Sequence, residues 1–285
     1  MNHHCVIVES MNKNISSEPH TLVALYSTPE VNRITGFASA TAQLSAKELA
    51  ARYLELRALA PCRHREGKKY FQGRPGITSS GQRSNRREEH LAMALRNAFS
   101  RNNPTQLENG QVLSFLDYQT PLKERRDDKG IGKVDLFGVI DDTMPCVVEL
   151  KVPTIHDSVS DTPLRAFLEA FAYCAVIEAN SSDISAEAAA LFDMQFTQGR
   201  PALCVMAPDS YWLAWLEHQR AGAWWPQLEE LASDIEAILG LESHFVALQD
   251  ADFEMGLDGK PPKLIGACRP VSVSSLVAEM DSGGW

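Results

Sequence analysis

An aspartate, a glutamate and a lysine sit in this 285-residue chain at a spacing that could build a small charged centre. Asp135 lies in Gly132-Lys133-Val134-Asp135-Leu136, and Glu149 and Lys151 lie in Val147-Val148-Glu149-Leu150-Lys151-Val152. Both stretches are apolar and rich in β-branched residues, with Asp141-Asp142-Thr143-Met144-Pro145 between them, a pattern that predicts strands over Val134–Ile140 and Cys146–Val152 joined as a hairpin. Side chains alternate along a strand, so Glu149 and Lys151 point one way while Val148, Leu150 and Val152 point into a core. A turn centred near Asp142 sets Asp135 opposite Glu149, and directly opposed side chains have Cβ atoms ~4.5–5.5 Å apart. Two carboxylates that close repel and need compensation. Lys151 supplies part of it, and a divalent cation that favours hard oxygen ligands, Mg²⁺ or Mn²⁺, would complete it. Such a metal activates a bound water and neutralises charge on phosphate oxygens, and Lys151 would hold or help deprotonate that water. The same alternation also fits a half-exposed edge strand with a cross-strand ion pair. The otherwise fully buried character of both runs favours the metal site.

Positioning these residues requires a sheet with helices on it. Leu91, Leu95, Ala98 and Phe99 form an apolar stripe that predicts a helix over Arg86–Ser100. Val112–Gln119 reads as a strand, Glu124–Gly132 as a charged turn, Pro163–Ala179 as a second helix and Ala202–Ala207 as a short buried strand. From Arg86 the order is helix, three strands, helix, strand, so the expected class is α/β, a mixed central sheet flanked by helices. Further helices are expected at Ser210–Gln219 and Gln227–Leu239, and strands near His244–Leu248 and Lys263–Ala267. Before Arg86, the apolar run Thr21–Tyr26 predicts a strand, and Ser45 caps an amphipathic helix running to Ala60. Arg63–Ser84 lacks periodicity and reads as a mobile linker or loop. Residues 1–85 are therefore expected to be an accessory region ending in a basic Gly/Ser/Arg-rich linker, with the main domain over 86–285.

The combination of Gly132-Lys133-Val134-Asp135-Leu136 with Val148-Glu149-Leu150-Lys151 resembles the PD-(D/E)XK nuclease superfamily, over about residues 86–207. The resemblance implies a restriction-endonuclease-like α-β-β-β-α-β core, Mg²⁺ or Mn²⁺, and hydrolysis of DNA phosphodiesters, with RNA as the alternative substrate. It further implies bacterial phage defence, repair or mobile-element biology. Asp135 and Glu149 would be metal ligands and Lys151 the catalytic lysine. The superfamily also places an acid on the preceding helix, here Glu88 or Glu89. At ~100° per residue Glu88 lies about 20° from both Leu95 and Phe99, whereas Glu89 turns toward Arg96, so Glu88 is the expected catalytic and metal-binding acid. Many members carry a polar residue, often Gln, on the next helix. Arg165, Glu169 and Tyr173 make a polar stripe there at i, i+4, i+8, whose plainer reading is a solvated Arg–Glu pair.

The net charge of −10 excludes a protein that grips nucleic acid with its whole surface. Charge is polarised, however. Pro61–Arg101 holds ten basic and three acidic residues, against five basic and sixteen acidic over Ser181–Trp285. A basic segment beside the predicted site suits a phosphate backbone. Arg83, Arg86, Arg87, Lys133 and Arg165 are the expected nucleic-acid contacts, with Arg125, Arg126 and Lys129 as weaker ones. The acidic C-terminal half suits solvent or a protein partner, which leaves a nuclease-like assembly subunit or a homodimer as further readings. Trp212, Trp215, Trp224 and Trp225 would stack on bases or, more commonly, fill a core. His156-Asp157 is a weak phosphate-side candidate. The scattered cysteines form no C-x-x-C pair and suit buried positions. No apolar run reaches the ~20 residues of a membrane helix, and the N-terminus lacks a basic start with an apolar core, so a cytoplasmic protein is expected.

Overall fold

The computed structural model describes residues 19–73, 76, 87–126, 128–153, 161–218, 223–256 and 259–282. Four helices come first: α1 (Thr21–Tyr26), α2 (Pro29–Asn32), α3 (Phe37–Gln43) and α4 (Ala46–Leu59), then a 3₁₀ turn at Arg63–Glu66. Helix α5 (Arg87–Ala98) leads into β1 (Thr105–Gln106), β2 (Val112–Pro121), β3 (Lys133–Ile140) and β4 (Met144–Leu150). Helices α6 (Pro163–Ala179) and α7 (Ser181–Phe192) precede β5 (Ala202–Pro208), α8 (Asp209–Leu216) and α9 (Trp225–Leu239). The chain continues through β6 (Ser243–Gln249), β7 (Asp252–Glu254), β8 (Lys263–Ile265), β9 (Arg269–Ser272) and α10 (Val273–Asp281).

The main sheet runs β1-β2-β3-β4-β5-β6-β9, antiparallel from β1 to β4, parallel from β4 to β6, and closed by an antiparallel β9. β7 and β8 form a separate small hairpin. The molecule is thus mixed α/β, with helices on both faces of a large sheet. On one face Phe137, Val139, Val147, Leu203 and Val205 pack against Phe167 and Phe171 of α6. On the other, Leu136, Ile140, Cys146, Val148 and Leu150 pack with Leu91 and Leu95 of α5. A strand covered on both faces carries an unbroken apolar run, which is why β4 reads Cys-Val-Val and admits polarity only at its end.

The β3–β4 ladder pairs Ile140 with Met144 through to Leu136 with Val148. Its next step sets Asp135 against Glu149, the facing inferred from the turn. The reversal itself rests on Asp141 (φ 48°) and Asp142 (φ 58°), a residue type that tolerates the left-handed region better than most.

Two expectations for the N-terminal part are corrected. Thr21–Tyr26 is a helix, not a strand: Leu22, Val23 and Tyr26 bury one side of it, and His20 Nδ1 accepts the Leu22 amide at 3.1 Å. Residues 63–73 are pinned rather than mobile. Glu187 accepts the Tyr70 and Phe71 amides at 3.0 Å, Asp117 accepts the Gln72 amide at 2.7 Å, and the buried Arg63 donates to the carbonyls of Lys69 and Lys123. Most of the remaining expected linker lies outside the described residues. Leu22, Tyr26, Leu49, Tyr53 and Leu56 belong to the same hydrophobic cluster as Phe167 and Phe171, so α1 and α4 form an outer layer over α6. Tyr53 packs its ring, tilted, 4.9 Å from that of Phe171 and donates to Glu178 at 2.8 Å.

Candidate active site

The charged residues gather where β3 begins and β4 ends, under α6. Beyond β4, the Lys151 amide donates to Met206 O at 3.0 Å and so prolongs the parallel pairing with β5. That backbone bond fixes the direction of the Lys151 side chain. Its Nζ donates to Glu149 Oε1 at 2.7 Å, and the two side chains are only 4% and 6% exposed. Asp135 is held through both carboxylate oxygens: Gln119 Nε2 donates to Oδ1 at 2.8 Å and the Leu150 amide to Oδ2 at 3.0 Å. Gln119 reaches Asp135 from an irregular strand. β2 carries a register shift between Phe115 and Asp117, and Gln119 takes φ 51°, a left-handed backbone inside a strand. Bulges and left-handed residues beside a site re-aim side chains, and here the re-aimed group is the Gln119 amide.

Helix α6 supplies the opposite wall. From Pro163 to Ile177 it is buried except at Arg165 and Glu169. Arg165 pairs with Asp161 at 3.2 Å and Glu169 at 3.7 Å, and donates to Asn32 Oδ1 at 3.1 Å. Asp161 also stands 3.6 Å from Lys151 Nζ. Tyr173, one turn after Glu169, donates to it at 2.8 Å. Tyr26 of α1 donates to Gly130 O, so the N-terminal layer touches the loop that leads into β3.

The electrostatics follow from placing several acids in one dry corner. Burial, with Glu88 and Glu169 adding to it, lifts the Asp135 carboxyl to about 7 although Lys151 and the Leu150 amide oppose the rise. Glu149 is raised well above the usual range by burial, then by Asp135 and Glu169, against the pull of Lys151. Glu88 is raised by burial and by Asp161 and Glu169. Burial disfavours the Lys151 ammonium, but Glu149, Glu88, Asp135 and Glu169 outweigh it and keep the group charged well above its ordinary pKa. Tyr173 and Tyr26 hold their protons for the same reason, burial first and then the field of Glu169 and Glu149.

The structure therefore brings Asp135, Glu149 and Lys151 into one cluster, with Glu88 within the same field from the first turn of α5. Arg165 joins them while keeping the pair with Glu169 that its spacing suggested, at 3.7 Å. Other expected residues stand apart. Arg87 lies over the Phe253 ring at 5.3 Å, toward the β7–β8 hairpin. Lys133 is exposed at the start of β3, as are Arg126 and Lys129 in the preceding loop, while Arg125 pairs with Glu66 at 3.1 Å. Arg83, Arg86 and His156-Asp157 lie outside the described residues. The four tryptophans are buried, with Trp212 and Trp224 among the largest fully enclosed side chains, so they are core and not a stacking surface. Gln119, Asp161, Glu169, Tyr173 and Tyr26 complete the neighbourhood. The i, i+4, i+8 stripe on α6 was the signal for two of them.

Comparison of the chain with protein-family models, curated proteins and solved structures finds no match. Among the described residues no three His, Cys, Asp or Glu side chains converge closely enough to hold a metal ion, and in this arrangement the Lys151 ammonium stands against Glu149. The donor chemistry nonetheless fits a hard divalent cation. Carboxylate oxygens are the ligands such ions prefer, and Asp135 and Glu149 are acids whose charge the protein alone under-compensates.

Proposed function

We propose that this chain is a Mg²⁺- or Mn²⁺-dependent endonuclease with a restriction-endonuclease-like core made of α5, β2, β3, β4, α6 and β5, acting on DNA in bacterial phage defence, repair or mobile-element biology. The observation that carries the reading is the burial of Asp135, Glu149 and Lys151 in one cluster, with both acids raised. A structural ion pair has no use for surplus acid, whereas several acids crowded into one buried corner and raised above their usual range are the mark of a functional site, and a bound cation would compensate their charge once they ionise. The helix–three strands–helix–strand order supports the same reading, and so does Glu88, whose neighbours in the field are the site's own residues.

Asp135 and Glu149, with Glu88, would hold the metal. When bound, the metal activates water as a nucleophile and stabilises charge on the phosphate. In the metal-free protein the acidic neighbours hold the Lys151 ammonium charged, so it can serve as a cation and hydrogen-bond donor toward the phosphate or the attacking water. Gln119 and the Leu150 amide fix the Asp135 carboxyl so that its orientation is set before a ligand arrives. Glu169, within the same field, keeps Tyr173 and Arg165 aligned along the α6 wall.

The test is cleavage of plasmid DNA and of labelled DNA and RNA strands with Mg²⁺ or Mn²⁺, against EDTA and Lys151→Ala. Metal-dependent cleavage abolished by Lys151→Ala is the expected result. Cleavage indifferent to both would refute the reading, and cleavage of RNA alone would replace the substrate. A folded, metal-binding protein that cuts neither would shift the reading to a nuclease-like assembly subunit.

A further inference from the structure

One carboxylate at the mouth of the cluster bridges two cations that come from different parts of the chain. Asp161 places Oδ2 3.6 Å from Lys151 Nζ and Oδ1 3.2 Å from Arg165 NH1. Lys151 follows β4 and is buried, while Arg165 is in the first turn of α6 and is 30% exposed. Each cation is also held by a group other than Asp161. Glu149 keeps Lys151 at 2.7 Å, and Asn32 and Glu169 keep Arg165 at 3.1 and 3.7 Å. The geometry of the pair thus survives without Asp161. Of the two carboxylates on Lys151, Glu149 is enclosed and Asp161 is 38% exposed, so Asp161 is the one solvent can replace. Arg165 Nε, in addition, is buried and makes no hydrogen bond.

We infer that Lys151 and Arg165 form a phosphate-binding subsite whose place is held, in the absence of substrate, by the carboxylate of Asp161. The inference rests on the nuclease reading for the identity of the ligand, a phosphodiester of a nucleic acid. Two oxygens on one centre, one to an ammonium and one to a guanidinium, describe a carboxylate here and a phosphodiester equally well. Charge-assisted bonds from Arg and Lys to phosphate are among the stronger polar contacts. Asp161 leaves by rotating its side chain into solvent. Its backbone stays put, since Tyr211 donates to the Asp161 carbonyl at 2.8 Å. The internal anion has two effects. It fills the place between the two cations beforehand, and it sets a threshold that stray anions do not cross in a corner already rich in acid.

The experiment compares wild type, Asp161→Asn, Asp161→Ser, and Asp161→Asn combined with Arg165→Met. Binding of a short fluorescein-labelled DNA is followed by anisotropy in EDTA and in Ca²⁺, with inorganic phosphate as competitor. Removing a half-exposed competing ion pair should tighten DNA binding about three- to tenfold and lower the phosphate concentration that competes by a similar factor. Adding Arg165→Met should cancel that gain. Two substitutions at Asp161, each checked by circular dichroism and melting temperature, guard against a misfolded variant. Unchanged or weaker binding in both folded Asp161 variants overturns the inference. Tighter binding without cleavage by any form in Mg²⁺ or Mn²⁺ leaves the subsite standing and removes the nuclease reading. Cleavage by wild type with no gain in either Asp161 variant does the reverse.

Discussion

Replacing Asp135 by Asn should change how the stability of the metal-free protein depends on pH, by an amount the structure sets. The folded carboxyl keeps its proton up to about pH 7, while the unfolded chain releases it near 3.8. Between those values the native state binds more protons than the unfolded state, so stability falls as pH rises. At 1.36 kcal/mol per pH unit, the stretch from about pH 4.5 to 7 corresponds to roughly 3 kcal/mol lost by wild type from this group alone. Asn carries no charge and avoids that loss. It faces two donors, Gln119 Nε2 and the Leu150 amide, with only one acceptor, a cost of about 1–3 kcal/mol against the ionised carboxylate and less against the protonated acid, which is itself one acceptor short. The pH slope of the difference therefore reports the titration, and the offset at low pH compares Asn with the neutral acid. Urea unfolding in EDTA at pH 4.5, 6.0 and 7.5 measures both. In melting temperature, the difference between variant and wild type should move by roughly 5–10 °C across that range in favour of the variant. Parallel pH profiles for the two proteins would show that Asp135 is ionised throughout and that its burial is already compensated. That outcome would refute the electrostatic basis of the site.

Further outcomes can be stated for three other positions. Gln119→Gly should be more stable than Gln119→Ala by about 1 kcal/mol in chemical denaturation, because Ala keeps the cost of the left-handed backbone and both lose the bond to Asp135. Glu88→Gln should weaken Mn²⁺ binding in calorimetry on the order of tenfold while Glu89→Gln leaves it close to wild type; equal effects would remove Glu88 from the site. Glu187→Ala strips the acceptor from the Tyr70 and Phe71 amides and a partner from His64. It should cost about 2–4 kcal/mol and expose the 63–73 segment to limited proteolysis, with resistance equal to wild type as the contrary result.

The hairpin was legible because its information is local. A short turn and an alternating pattern set Asp135 against Glu149, and the ladder from Ile140–Met144 to Leu136–Val148 follows that register. The preference for Glu88 over Glu89 came from helix periodicity, after the resemblance had called for an acid on α5. Thr21–Tyr26 was not, since Thr-Leu-Val-Ala-Leu-Tyr has a strand's composition and becomes a helix through its cap and its packing on α6. Gln119 was hidden for a different reason, because a bulge and a left-handed residue in β2 leave no mark in the sequence. On α6, Arg165 and Glu169 interrupt a helix that is otherwise apolar nearly all round. Their spacing showed a polar stripe, but only the tertiary arrangement turns it inward to the sheet. Asp161 belongs to no periodic element at all, and its contacts depend on where the end of β4 meets α6 and α8.

The layer that α1 and α4 lay over α6 also bears on how the chain is made. Tyr53 and Arg57 meet Glu178, and His64 meets Glu187, across 125, 121 and 123 residues of chain. During synthesis at ~5–20 residues per second, the early helices wait roughly 6–25 s before their partners exist. Their apolar sides stay unmatched for that interval, and closing so long a loop is what retards folding in domains dominated by distant contacts. A nascent chain halted before α6 would hold a hairpin with Asp135, Glu149 and Lys151 but no roof over it, so protection by holdase chaperones should peak on such intermediates and fall once Glu178 has emerged.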